Sequence, residues 1–285
     1  MIIKINSSVR QANNEDQGQL ANLIHFETLV HRHLDWRPPL EWIGYEPYLV
    51  LEKDKRLVAA LACPPDPPSI AWIRLFVALE EVKLIEAWLQ LWPRALEVLS
   101  IDAKIQVAAI PLQAWFQRLL KSSHFHPISD VVMLIWDSGE IPTMKSSPGI
   151  SIRPMSLDDL PTVESIDKSA FGSLWHNSRQ SLEYAFRQAA IATVADYEGA
   201  IVGYQISTAM HMGGHLARLA TNPQYQRQGI GSAILRDLLV QFKLRGAQRI
   251  TVNTQEENLA SISLYQTAGF MRTGETYPVF QFMPE

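Results

Sequence analysis

Apolar and polar positions along this chain follow two periodicities, and the places where one gives way to the other outline a fold. Past a stretch of Pro, Gly and small polar residues from Asp137 to Gly149, Ile150-Ser151-Ile152-Arg153-Pro154 alternates as a half-buried strand does. Ser156 with Asp159 three residues later has the spacing of a capping box, which predicts a helix to about Lys168. Ile191 to Tyr197, a Glu198-Gly199 turn and Ile201 to Thr208 predict a hairpin, and Met212-Gly213-Gly214 turns the chain into a third strand, His215 to Thr221. Ile230, Ala233, Ile234, Leu238 and Phe242 recur at helical spacing, with Gly246 as the stop. Arg249 to Val252 predicts a strand, Asn258 caps a helix through Ala268, and Tyr277 to Phe282 closes with a strand. The succession describes an α/β (α+β) fold: a mixed, mostly antiparallel twisted sheet flanked by helices.

The first half repeats the plan. Val9-Arg10-Gln11-Ala12-Asn13-Asn14-Glu15-Asp16 parallels Ile152-Arg153-Pro154-Met155-Ser156-Leu157-Asp158-Asp159, and an amphipathic helix follows each. Tyr48 to Glu52 and Leu57 to Ala62 flank a Lys53-Asp54-Lys55 turn, Ile70 to Val77 is strand-like, and Leu84 to Leu99 is helical. Ile105 to Ile110, a Gln113 to Lys121 helix and Val131 to Trp136 complete the series, so an internal duplication is the economical explanation. The expected organisation is a first domain over 1–138, a linker over 139–149 and a second domain over 150–285, which suits 285 residues better than one core would.

Composition narrows the function classes. At 47% hydrophobic and 19% charged residues the chain has the material for packed cores. A net charge of −4 offers no basic face for a phosphate backbone, so nucleic acid is not an expected partner. The single cysteine, Cys63, cannot bridge internally, and no apolar run reaches the length of a membrane span. With Met1 to Asn6 too short and too soon polar for a signal peptide, the expectation is a soluble, cytoplasmic protein without membrane association.

The informative segment runs from Leu219 to Ser232, where a strand meets a helix through Gln228-Gly229-Ile230-Gly231. A helix start presents unpaired N–H groups and partial positive charge, and glycine lets a ligand approach the backbone, so the loop suits an anion such as a pyrophosphate. A tight strand-to-helix turn would use the same glycines. The third glycine of a dinucleotide fingerprint and the Gly-Lys-Ser/Thr of a P-loop are both missing.

Gln226-x-x-Gly229-x-Gly231 before a helix, followed by Asn258-x-x-Ser261-x-x-Leu264-Tyr265-x-x-x-Gly269-Phe270, resembles both signature motifs of the GNAT superfamily of N-acetyltransferases, in the right order. The resemblance covers the C-terminal half, and its local wording is similar to the type that acetylates ribosomal-protein alanine. It implies acetyl-CoA as cosubstrate. It further implies that Leu219, Ala220 and Thr221 pair with the pantetheine arm through their backbones, that Arg227, Gln228, Gly229, Ile230, Gly231 and Ser232 wrap the pyrophosphate, and that Asn258 contacts the arm from the other side. Tyr265 stands at the position of the general acid, and a backbone N–H near Ala220 is placed to polarise the thioester carbonyl. The glutamate base of the N-terminal acetyltransferase type falls on Asn253, which cannot take a proton at neutral pH; His215, Glu256, Glu257 or a water chain are the alternatives.

In the first half the corresponding loop reads Ala78-Leu79-Glu80-Glu81-Val82, with two carboxylates and no glycine, so this copy is expected to be degenerate and non-catalytic. His31-Arg32-His33 and His124-Phe125-His126 lack a third spaced ligand and read as ordinary exposed histidines rather than a metal site. Trp36, Trp42, Trp72, Trp88, Trp92, Trp115 and Trp136 precede the linker and Trp175 follows it, which suits core packing, with Trp36-Arg37-Pro38-Pro39 and Phe171 to Trp175 as candidate lips of a pocket. The expected activity is acetyl transfer from acetyl-CoA to a primary amine by direct attack. A silent acyl-CoA-sensing module and an enzyme using a longer acyl-CoA are the alternatives.

Overall fold

The computed structural model describes residues 7–99, 105–137, 139–144 and 148–283; the expectation about Met1 to Asn6 and part of the linker lie outside them. The chain forms two compact units, one of Met1–Ile128 with Pro278–Glu285 and one of Ser129–Tyr277.

Unit 1 contains β1 (Ser7–Gln11), α1 (Gln17–Phe26), β2 (Val30–Arg32), β3 (Tyr48–Lys53), β4 (Arg56–Ala62), β5 (Ile70–Trp72), β6 (Leu75–Ala78), α2 (Leu84–Leu99), β7 (Gln106–Ala109) and α3 (Ala114–Lys121). Five strands form an antiparallel sheet in the order β1-β3-β4-β6-β2. The expected strand over Ile70 to Val77 is broken in two: β5 pairs in parallel with β7, while β6 pairs with β4. The short β2, with a single buried residue, carries too little pattern to be read from sequence, yet it lies along β6 on the side away from β4. Aromatic residues build the core, with Trp88 5.1 Å from Phe76 and 5.2 Å from Trp92, ring centre to ring centre.

Unit 2 continues with β8 (Phe125–Asp137), β9 (Ile150–Pro154), α4 (Leu160–Ala170), α5 (Arg179–Gln188), β10 (Ile191–Tyr197), β11 (Ala200–Met210), β12 (Gly213–Thr221), α6 (Ile230–Leu244), β13 (Arg249–Gln255), α7 (Leu259–Thr267) and β14 (Met271–Phe282). Its sheet runs β8-β13-β12-β11-β10-β9, with only β12 and β13 parallel. The mostly antiparallel α/β expectation therefore holds for both units. Helix α5 leaves no mark in the sequence pattern, because of its ten residues only Leu182 and Ala185 are buried, too thin a stripe to show as periodicity.

The division of the chain differs from the expected break at 139–149. Phe125 is part of the unit 1 core, whereas Val132, Leu134 and Trp136 of the same strand enter the unit 2 core. At the other end Phe280 pairs with Ala109 of β7 and joins the unit 1 core, together with Phe282. Each unit thus takes a strand segment from the half of the sequence that otherwise forms the other. The alternation in Val131 to Trp136 fits any sheet edge, and nothing local in it specifies which β-strand it will meet.

Candidate active site

Strands β12 and β13 pair in parallel from Gly213↔Arg249 to Leu216↔Val252, and then they part. On β11, Ser207 faces Leu216 and the adjacent Ile206 faces Arg218, so Ala217 is the extra residue of a bulge at the parting point. Beyond it Arg218 to Thr221 stay with β11, while Asn253 to Gln255 stay with β8. An opening between two strands results. The Asn222 N–H donates to the Val202 carbonyl at 2.8 Å, so by strand alternation the Ala220 backbone faces β11, and the backbone groups of Leu219 and Thr221 face the opening. Of the three residues expected to meet a cofactor arm through their backbones, Ala220 is the one the register turns away.

The loop after β12 ends against this opening. Gly229 caps α6 with φ of 83°, and Arg227 also has positive φ, at 64°, so the loop doubles back before the helix begins. The first i to i−4 bond of the helix is Ala233 N–H to the Gly229 carbonyl, at 3.0 Å, and the N–H groups of Ile230, Gly231 and Ser232 precede it. Arg227 and Gln228 are exposed at the loop tip. A Cβ on Gly231 would sit 3.3 Å from Leu264 Cδ2, 3.6 Å from Thr221 Oγ1 and 4.0 Å from Leu219 Cδ2, so α6, α7 and the end of β12 meet at this glycine.

Tyr265, the neighbour of Leu264 on α7, is 5% exposed and packs 5.7 Å from Phe270. Burial pushes its phenol above the ordinary tyrosine range, and the Arg218 charge pulls the other way, so the proton is held at neutral pH. His215 and Thr251 face each other across the parallel pair, with Nδ1 and Oγ1 2.9 Å apart, and burial holds the imidazole below its usual range and therefore neutral. Asn253, the first β13 residue past the last pair, lies on the same strand face as Thr251, and its Oδ1 is buried without a partner among the described residues. Asn258 caps α7 by accepting from the Ser261 N–H at 3.1 Å, which uses its oxygen for the helix. Glu256 is exposed and ion-paired with Arg272 at 2.9 Å, and Glu257 is exposed as well.

Residues 160–270 match the acetyltransferase (GNAT) family. The chain carries a GNAT acetyltransferase domain. Over 124 residues it is 27% identical to the [ribosomal protein bS18]-alanine N-acetyltransferase of Escherichia coli, an alignment covering 42% of this chain and 80% of that protein. The fold of nearly the whole chain is like that of a GCN5-related N-acetyltransferase from Sphaerobacter thermophilus, with a TM-score of 0.62 at 15% identity over 96% of this chain and 95% of the other. It is also like a tandem GNAT protein from the clavulanic acid biosynthesis pathway, with a TM-score of 0.61 at 15% identity over 99% and 100% of the two chains. The GNAT domain makes the chain an acyltransferase, of the class that carries an acyl group from acyl-CoA to an amine.

The GNAT domain also contains a cluster that the sequence did not disclose. Asp167 on α4 is 0% exposed and accepts from Arg218 Nε and an Arg218 terminal nitrogen at 2.7 and 2.9 Å, from the Tyr204 hydroxyl, and from the Asn177 N–H at 2.6 Å. Arg218 further donates to the Trp175 carbonyl at 2.6 Å and lies 3.5 Å over the Phe171 ring. Phe171 to Trp175 are thus fixed to the bulged end of β12. The signal that could have found this is a carboxylate within the apolar stripe of a helix, where Asp167 follows Leu160, Val163 and Ile166.

In unit 1 the loop from Leu79 to Lys83 is tied to neighbouring side chains. Glu81 is paired with Arg56 at 2.9 Å, and the Glu80 N–H donates to the Glu27 carboxylate at 3.0 Å. Two histidines expected to be ordinary and exposed are packed here. His31 is 3% exposed, stacks on Phe116 at 4.0 Å and donates from Nε2 to the Ile73 carbonyl at 3.0 Å, while His33 stacks on Trp72 at 4.9 Å. His124 and His126 are exposed. Trp42, Trp72, Trp88 and Trp92 are buried in unit 1 and Trp136 in the unit 2 core.

Proposed function

We propose that unit 2 transfers the acetyl group of acetyl-CoA to a primary amine of a small molecule or peptide by direct attack, and that unit 1 is non-catalytic. The observation that carries this reading is the parting of β12 from β13 beside the glycine-capped start of α6. There the pyrophosphate would accept from the N–H groups of Ile230, Gly231 and Ser232, with Arg227 and Gln228 at the rim, where anion and helix N-terminus attract. Leu219 and Thr221 would pair with the pantetheine amides, and Tyr265 would return a proton to the departing thiolate. His215, neutral and oriented by Thr251, is our candidate to take the amine proton: with Nδ1–H donating to Thr251 Oγ1, the Nε2 lone pair is available. The kinship with an alanine N-acetyltransferase of a ribosomal protein favours a peptide or protein amine within this class. With its single cysteine buried in unit 1, the chain suits a reducing compartment, and we read it as cytoplasmic.

The test is single-turnover transfer from labelled acetyl-CoA to an amine panel that includes alanine-initiated peptides. Transfer that is lost in Tyr265→Phe supports the reading. Stabilisation by acetyl-CoA with no transfer to any amine would replace it with an acyl-CoA-sensing role, and stronger stabilisation by long-chain acyl-CoA would replace the acetyl donor.

A further inference from the structure

The two copies in this chain give an internal comparison. Arg10 binds Asp16 six residues on, and Glu52 on the neighbouring strand; Arg153 binds Asp159 six residues on, and Asp196 on the neighbouring strand. The copies are therefore offset by 143 residues at both positions, from 153 − 10 and 159 − 16. At that offset Asp167 of α4 corresponds to Ile24 of α1, since 167 − 143 is 24. Arg218 stands two residues past the last parallel pair of unit 2, Leu216↔Val252, and Arg74 stands two residues past the last parallel pair of unit 1, Trp72↔Ala108. Both arginines are largely buried, with side chains 14% and 6% exposed. Among the described residues, the arginine of unit 2 is received by a helix carboxylate, whereas that of unit 1 is bound by Asp35, outside the helices.

The segment after the first helix differs accordingly between the copies. In unit 1 Arg74 is bound by Asp35 at 2.7 Å, just beyond β2, and β2 pairs along β6 from Val30↔Val77 to Arg32↔Leu75, in the place where the two central strands have parted. In unit 2 the segment after α4 is held by the Asp167–Arg218 pair through Phe171, Trp175 and Asn177, and among the described residues no strand lies along Leu219 to Thr221 on the β13 side.

We infer that Asp167 and Arg218 are positioning residues that keep the acyl-CoA opening of unit 2 clear by anchoring the segment that follows α4. The inference rests on the reading of that opening as the acyl-CoA site. A parted strand edge carries backbone groups that another strand can satisfy, and the chain's own nearest segment is at high effective concentration. In unit 1, where Ile24 stands at the position of the anchoring aspartate, that segment has entered as β2. In unit 2 the buried aspartate draws it to the rim, and the edge stays available to a cofactor whose amides pair with Leu219 and Thr221.

The test uses the full chain with Asp167→Ile, which copies unit 1, and with Asp167→Ile combined with Arg218→Met, which leaves no buried charge unpaired. Amide exchange over 171–178 and 217–222 and the thermal shift produced by acetyl-CoA are measured for each. The double variant is expected to remain folded, to gain roughly tenfold or more exchange protection in both segments, and to lose most of the shift that acetyl-CoA gives the parent chain. Reduced protection in those segments is what a merely structural ion pair predicts, and it would overturn the inference. So would an acetyl-CoA shift equal to that of the parent. A parent chain that acetyl-CoA does not stabilise would refute the ligand assignment instead, and a gain of protection in the variant would still support the anchoring.

Discussion

Arg218 reaches Asp167 through two hydrogen bonds, of 2.7 and 2.9 Å, at a carboxylate with no exposure to solvent. A buried pair of this kind is costly to break from one side, because the partner is left charged and dry. Arg218→Ala is expected to destabilise the protein by roughly 3–5 kcal/mol. Tyr204→Phe, which removes one donor and leaves the pair intact, should cost about 1–3 kcal/mol. Denaturant unfolding of the two variants checks the order; equal losses would mean that the ion pair is not what secures Asp167.

Tyr265→Phe separates chemistry from binding. The ring is packed beside Phe270 and keeps its place when the oxygen is removed. The expected outcome is a fall in kcat of about 10²–10⁴-fold, with acetyl-CoA affinity changed less than twofold. A kcat within threefold of the parent would remove Tyr265 from the proton path.

The glycine loop is sensitive to a single methyl group. At Gly229, with φ of 83°, alanine should cost about 1–2 kcal/mol through backbone strain. At Gly231 the added Cβ would be 3.3 Å from Leu264 Cδ2, so that side chain must give by a few tenths of an ångström, and acetyl-CoA affinity should fall while the melting temperature changes little. Calorimetric titration of both variants tests this, and unchanged affinity in both would argue against a cofactor at this loop.

Burial holds His31, His33 and His215 below the ordinary range, and two of them give testable pH dependences. If His215 takes the amine proton, kcat/KM should rise through an acid limb whose midpoint lies below 6.5, because the neutral form persists to lower pH. His215→Gln should abolish that limb. His31 is lowered to about 4 by burial, so the folded state binds the proton less readily than the unfolded chain. Its contribution to stability is complete above pH 6.5 and is lost as pH falls from 6.5 toward 4. Thermal unfolding between those limits should show a steeper acid loss in the parent than in His31→Phe.

The last strand is expected to matter to the first unit. Phe280→Ala should destabilise unit 1 by about 3–5 kcal/mol, since the ring is fully buried in that core. Amide exchange in β3 and β4 reports on it; a loss of protection confined to residues 129–277 would contradict the assignment of Pro278 to Phe282 to unit 1.

The glycine-capped start of α6 was readable because its geometry is local: Gly229, Gly231 and the helix that follows are adjacent in sequence, and so are the Asn258 cap and Tyr265. The duplication was readable from the Arg10 and Arg153 segments for the same reason. Long-range choices were not. Whether Val131 to Trp136 pairs with β7 or β13, whether β2 enters a sheet, and which carboxylate receives Arg218 are settled by pairings between residues far apart in the chain. The backbone direction of Ala220 depends on a one-residue bulge at Ala217, which hydrophobic patterning does not record.

The exchange of strand segments also orders the birth of the molecule. During synthesis the residues up to Ile128 emerge with their helices and most strands, but β7 lacks Phe280 and Phe282 until the whole of unit 2 has been translated. Unit 1 therefore completes its core only after the sequence of unit 2 has also been made. The two halves are accordingly not expected to fold as independent proteins when the gene is cut at its midpoint, because each would lack a strand segment of its own core.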